Sequence, residues 1–141
     1  LAGLSFLTFL SSIEAAVLFD RGTAWRWRPG NTEASTPVDA WRAINFNDSA
    51  FTTAPAPFYY GESLTGGTVI SGMQNVYGSI FLRKTFVLND VSQIGGLKLG
   101  AIVDDGFVAW INGTEVRRVN MSGGAGTAVL ARFHADAIEQ W

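Results

Sequence analysis

Six aromatic side chains are the residues of this chain best suited to recognition chemistry: Trp25, Trp27, Trp41, Tyr59, Tyr60 and Trp110. An aromatic face packs well against the apolar C–H face of a pyranose ring, and nearby Asn, Asp or Arg groups can then read the hydroxyls at its edge. Trp41 and Trp110 are surrounded by apolar sequence and read as packing residues. Tyr59 and Tyr60 stand beside the Gly-, Thr- and Ser-rich stretch 62–72, where a loop would expose them, and Trp27 alternates with arginines. Tyr59, Tyr60 and Trp27 are therefore the candidate ligand-binding residues, with a glycan as the ligand class.

Other chemistries find less to work with. Asp104 and Asp105 could hold calcium or act as a carboxylate pair. A calcium loop needs further oxygen ligands at alternate positions, which are missing here, and adjacent residues at a strand end point apart, which suits paired-carboxylate hydrolysis poorly. With Gly106 they read as a turn, because Asp tolerates turn geometry and Gly accepts positive φ. His134 is the only histidine. A multi-histidine metal site is thus excluded, and no Gly-x-Ser-x-Gly elbow accompanies it. The pairs Gly66-Gly67, Gly95-Gly96 and Gly123-Gly124 lack both the phosphate-loop lysine and the G-x-G-x-x-G spacing, so they read as loops. No catalytic set, metal site or cofactor motif emerges, and the chain reads as non-enzymatic.

Composition bounds the rest. The 141 residues, 48% of them apolar and 16% charged, are enough for one domain with a core. The net charge is −2 and the ten basic residues are scattered, so the basic stripe that nucleic-acid binding requires is missing. Arg21, Arg26 and Arg28 form the nearest approach to one and read as a solvated strand face. There is no cysteine, which removes disulfides, thiolate metal sites and thiol nucleophiles. Three sequons occur, at Asn47, Asn112 and Asn120, and two of them coincide with turns that favour Asn in any case.

The elements that must position these residues are strands. The Trp/Arg alternation of residues 23–28 predicts a half-exposed strand with Trp25 and Trp27 on one face. Pro29-Gly30-Asn31 breaks it, and residues 32–39 read as a loop. Asn47-Asp48-Ser49 reads as a turn, and the prolines at 55 and 57 hold residues 55–61 extended. Residues 68–70 can pair briefly. Residues 77–119 carry the strongest pattern: apolar runs cut by Asn89-Asp90, by Asp104-Asp105-Gly106 and by Asn112-Gly113. They predict strands over 80–88, 97–103, 107–111 and 114–119. Asn112-Gly113 is the strongest hairpin signal, since both central positions of a type I′ turn need positive φ. Residues 121–126 read as a loop, and 135–140 hold a possible helical turn.

In this order the residues resemble a known family. Trp25-x-Trp27, Trp41, Phe46-x-Asp48-Ser49-x-Phe51, Ala56-Pro57-Phe58-x-Tyr60-Gly61, Phe81-x-Arg83-Lys84-x-Phe86, Asp104-Asp105-Gly106, Trp110-x-Asn112-Gly113-x-Glu115-Val116 and Arg118-x-Asn120 are similar to the galactose-binding-domain-like jelly-roll modules of secreted bacterial multidomain proteins. The resemblance covers most of residues 23–120, with Phe51 standing where the family often has Trp. It implies an all-β fold, an antiparallel two-sheet β-sandwich. It also implies a further strand pair after 133–141, so the module is expected to be truncated at its C-terminal end. The family pattern supplies turn formers and inter-sheet aromatics, and no catalytic residues.

Residues 1–10 form an uncharged apolar run, and Ser11-Ser12-Ile13-Glu14-Ala15-Ala16 follows it. Residues 1–16 thus resemble the remnant of a secretory signal peptide, the alternative being a hydrophobic first strand or core helix. The run is too short for a membrane span. The expected organisation is a leader at 1–16 and an incomplete β-sandwich at 17–141, placed outside the cytoplasm and beside other domains of a longer chain. Its expected role is that of a non-catalytic accessory module, carbohydrate-binding or, alternatively, a structural or adhesive spacer packed against a neighbouring domain.

Overall fold

β1 (Ala24–Pro29) is the strand on which the described part of the molecule is built, in a computed structural model that describes residues 17–93 and 96–121. It is the middle of a three-stranded antiparallel sheet, between β2 (Thr52–Pro55) and β5 (Ile80–Arg83). Trp25 lies opposite Ala54, and Trp27 lies opposite both Thr52 and Leu82. Because side chains alternate across a strand, this register sorts the sheet into two faces.

Both faces are covered. On one, Trp25, Trp27, Ala54 and Leu82 pack against buried Phe58, Ile70, Met73 and Ile80. On the other, Phe81 packs with Phe46 and Trp110 against buried Ala34, Trp41 and Phe51. Phe58, only 1% exposed, centres the first cluster, and full burial of such a ring contributes roughly 1.5–3 kcal/mol. Arg26 and Arg28 share the second face. The solvated strand face expected of them is replaced by half-buried guanidiniums with fixed partners. Arg26 bonds Asp48 and Thr53, Arg28 bonds Thr32 and the Ala34 carbonyl, and the Arg28 guanidinium lies 5.7 Å from the Phe51 ring centroid.

The remaining pairings are short. β3 (Phe58–Tyr59) and β4 (Thr68–Val69) pair in parallel, held by Thr68 N–H to the Pro57 carbonyl and Ile70 N–H to the Tyr59 carbonyl, each 2.7 Å. β6 (Phe107–Ile111) and β7 (Thr114–Val119) form a hairpin over the expected residues. Asn112 and Gly113 turn it with φ of 50° and 85°, the doubly left-handed geometry of a type I′ connection. A β-bulge lies between Ala109 and Trp110, opposite Arg117 and Glu115. Short 3-10 turns occupy Ala40–Arg42 and Val91–Gln93.

The described residues are thus all-β, with no α-helix among them. Two strand predictions need correction. The strand expected over 80–88 ends at Arg83, and the one expected over 97–103 is not formed among the described residues: residues 96–103 make no ladder with any of them, and Leu97 and Leu99 are half exposed. Alternation assigns side chains to faces, but a strand also needs a partner to satisfy its backbone groups. The leader at 1–16, His134 and the predicted turn at 135–140 lie outside the described residues.

Candidate functional site

Two tyrosines that pack on the Phe58 core also line a solvent-open cleft. Its walls are Tyr60, Gln74, Asn75, Val76, Tyr77 and Gly78, and it encloses about 440 Å³. That volume falls within the span of roughly 300–1,000 Å³ usual for small-molecule sites. Tyr60 follows β3 directly, and residues 71–78 connect β4 to β5. Local chemistry fixes the second wall. Met73 is 2% exposed and anchors the loop in the core, and its carbonyl accepts from Val76 N–H at 3.1 Å and Tyr77 N–H at 3.2 Å. Asn75 takes φ of 58°, a left-handed conformation that Asn tolerates better than most residues. Gln74 and Asn75 are consequently exposed on a turn tied down between Met73 and Ile80.

Both tyrosine rings lean on the same core cluster, which restrains them before any ligand arrives. Burial pushes the Tyr77 phenol above its ordinary range, so its hydroxyl remains protonated across physiological pH and can both donate and accept. The two amides add paired donors and acceptors. Nothing that lines the cleft is charged. Such a surface can exchange hydrogen bonds with polar groups.

Of the residues singled out from sequence, Tyr60 alone lies at this cleft. Tyr59 is 8% exposed, and its hydroxyl donates to the Leu64 carbonyl at 3.2 Å. Its expected loop-side exposure is corrected accordingly: the ring is built into the fold. Trp27 is half-buried against Phe58, with ring centroids 5.7 Å apart. Gln74, Asn75 and Tyr77 were not singled out. Their sequence signal was a Gln-Asn pair bracketed by Met73 and Tyr77, which is weak because nothing in it says that the turn folds back beside Tyr60.

The other aromatics serve packing. Trp41 is 6% exposed and meets Phe81 and Trp110 edge-on, at 5.2 and 5.4 Å between centroids. The Arg42 guanidinium sits 4.4 Å from the Trp110 centroid. Asp104 and Asp105 are exposed at a bend where Asp105 has φ of 75°, in keeping with turn chemistry. Among the described residues, no group of three or more His, Cys, Asp or Glu side chains is placed to hold a metal ion, and no helix is long and apolar enough to cross a membrane. Comparison with protein-family models, with curated proteins and with solved structures finds no match to this chain.

Proposed function

We propose that this chain is a non-catalytic accessory module of a secreted or cell-surface protein, and that it is directed to carbohydrate. The observation that carries the proposal is the cleft, in which two core-anchored tyrosines stand with two exposed amides. Aromatic faces with hydrogen-bonding groups at their edge are the combination a sugar demands, and a binding module needs nothing more reactive.

Within this proposal the sheet β2-β1-β5 is one layer of a galactose-binding-like jelly roll, and the hairpin β6–β7 belongs to the facing layer. The packing of Trp110 of β6 against the cluster that also receives Phe81 of β5 supports that arrangement. So does the resemblance of residues 23–120, which is also the basis for placing the module in a secreted multidomain protein. A second role has its own observation. Val87, Val91, Leu97 and Leu99 are between 49% and 76% exposed along 87–99, and an apolar run of that kind suits a spacer that packs against a neighbouring domain. The burial of Tyr59 favours this second role as well.

Retention of the chain on insoluble cellulose, xylan, mannan and chitin, together with a broad glycan array, separates the two. Retention on at least one polysaccharide is the expected result. No binding across the whole panel would overturn the carbohydrate role and leave the spacer.

A further inference from the structure

We propose that Glu115 is the moving part of a latch. Held by Arg118, it closes the hairpin β6–β7 only on itself; passed to Arg42, it fastens the hairpin to the 3-10 turn at Ala40–Arg42.

The β-bulge sets the geometry. Trp110 lies opposite Glu115 and Val108 lies opposite Arg118, with the register shift between Ala109 and Trp110. Directly opposite residues share a face of a ladder, and so do residues two apart on one strand. Glu115 and Arg118 therefore meet on the face of Trp110 and Val108, although residues three apart on a regular strand point to opposite faces. There Arg118 grips the carboxylate with one edge of its guanidinium, donating from Nε to Oε1 at 2.8 Å and from Nη2 to Oε2 at 2.7 Å. Arg42 reaches the same place from the 3-10 turn, its guanidinium 4.4 Å from the Trp110 ring centroid.

Arg42 brings the same edge without an acceptor. Its Nε and Nη2 are shut off from water and have no hydrogen-bond partner among the described residues. Such an edge is unfavourable, because the desolvated N–H groups gain nothing in return. Water does not reach these atoms, so the acceptor has to be a protein group. Among the described carboxylates, Asp48 is already divided between Arg26 and Arg83. Asp39, three residues before Arg42, is exposed and makes no side-chain bond to the turn. Glu115 stands beside the stack, opposite Trp110 in the ladder. Its carboxyl is held below the ordinary range by the hydrogen bonds of Arg118 first, and then by the charges of Arg118 and Arg42, the two cations that act on it.

Transfer is a side-chain event. Rotation about the Glu115 χ angles carries the carboxylate across the ladder face, and a guanidinium stacked on an indole can turn in its own plane and keep the contact. Neither step disturbs backbone pairing. The two positions differ in what they join: Arg118 and Glu115 both belong to β7, whereas Arg42 belongs to the turn that carries buried Trp41.

The test uses the chain with NMR of the arginine Nε–H groups and chemical denaturation. Arg118→Gln removes the competing fork and is expected to send Glu115 to Arg42. The Arg42 Nε–H signal should then move downfield, and should return when Glu115→Gln is added. Arg42→Gln should lower the folding equilibrium constant several-fold more in the Arg118→Gln background than in the unmodified chain, because only there is the carboxylate left without a cation. Arg118→Lys, which keeps the charge and loses the fork, is the second variant should Arg118→Gln fail to fold, and it should give the same shift to a smaller extent. An Arg42 signal indifferent to the Arg118 changes would overturn the latch. Strictly additive losses for Arg42→Gln and Arg118→Gln would overturn it as well.

Discussion

Arg83 Nε donates to Asp48 Oδ2 at 3.1 Å, and through this pair a loop carboxylate is tied to the edge strand β5. The other oxygen, Oδ1, accepts from Arg26 Nε at 3.2 Å, so one aspartate bridges two strands that are already neighbours in the sheet. Arg83 extends the network to the carbonyls of Trp41 and Ala43, which fixes the 3-10 turn above the second core cluster. Its guanidinium also covers the Phe46 ring, 5.2 Å from the centroid. The Arg83 side chain is 13% exposed and that of Asp48 is 26%, so the pair is more shielded than an ordinary surface ion pair.

Removing the carboxylate should therefore leave two partly buried guanidiniums without their anionic partner. Asp48→Ala is expected to destabilise the fold by about 1–3 kcal/mol, below the 3–5 kcal/mol of a fully buried pair because of the residual exposure. Arg26→Met should cost less than Arg83→Met, since Arg26 is the more exposed partner at 32%. Urea denaturation midpoints check the order. Equal losses for the two arginine variants would contradict the assignment of Arg83 as the principal tie.

A second prediction concerns close backbone approach. A Cβ added at Gly30 would stand 1.7 Å from Ser79 Oγ and 2.8 Å from the Ser79 carbonyl, where Gly30 N–H donates to that carbonyl at 2.8 Å. Gly30→Ala should cost about 2–4 kcal/mol, the range in which steric conflict within a packed fold falls. Ser79 is 2% exposed and its hydroxyl has no partner among the described residues. An unsatisfied buried hydroxyl is itself unfavourable, so Ser79→Ala should be neutral or slightly stabilising. Combining the two changes should recover part of the Gly30→Ala loss, but only part, because the carbonyl contact remains. Gly100, with no atom within 4 Å of its added Cβ, is the control. Denaturation midpoints of the four proteins decide the matter.

The pH dependence has a defined sign. Hydrogen bonding to Arg118, at 2.7 and 2.8 Å, holds the Glu115 carboxyl below its ordinary range. The Ser92 hydroxyl and N–H do the same for Asp90. A folded-state pKa depressed below the unfolded one contributes stability that is fully present above the unfolded value, near 4 for a carboxylate. That contribution is lost as the pH falls through the lower, folded value. NMR titration of the side-chain carboxyl carbons should therefore find both midpoints below those of unstructured peptides. Arg118→Gln should raise the Glu115 midpoint and leave that of Asp90 where it was.

How much of this was legible in sequence depends on whether the signal was local. Asn112-Gly113 announced its hairpin because the turn's requirement, two left-handed residues, is carried by those two residues alone. The alternation of 23–28 predicted β1 and the shared face of Trp25 and Trp27 for a similar reason. Residues 97–103 alternate just as well, yet they form no ladder with the described residues, because pairing depends on a second stretch that the first does not encode. The site follows the same division. Tyr59 and Tyr60 were indistinguishable as sequence, but neighbours on an extended chain point apart, and only Tyr60 turns to the cleft. Its partners Gln74, Asn75 and Tyr77 reach it through the seating of Met73 in the core, a tertiary event with no local signature.

The last prediction asks which apolar residues hold the fold. Leu99 is 50% exposed and belongs to neither core cluster, whereas Phe58 is 1% exposed and contacts Trp27. Hydrophobic stabilisation scales with the apolar area removed from water, so residue type alone is a poor guide. Phe58→Ala should cost about 3–5 kcal/mol, the lost transfer energy plus that of the cavity it leaves. Leu97→Ser and Leu99→Ser should each stay within about 0.5 kcal/mol, as surface changes do. Chemical denaturation of the chain measures both. If the leucine changes proved as costly as Phe58→Ala, residues 97–99 would be part of the packed core of this chain, and the apolar surface invoked for a neighbouring domain would no longer be available to one. If they are as cheap as expected, these leucines contribute little to the chain's own folding.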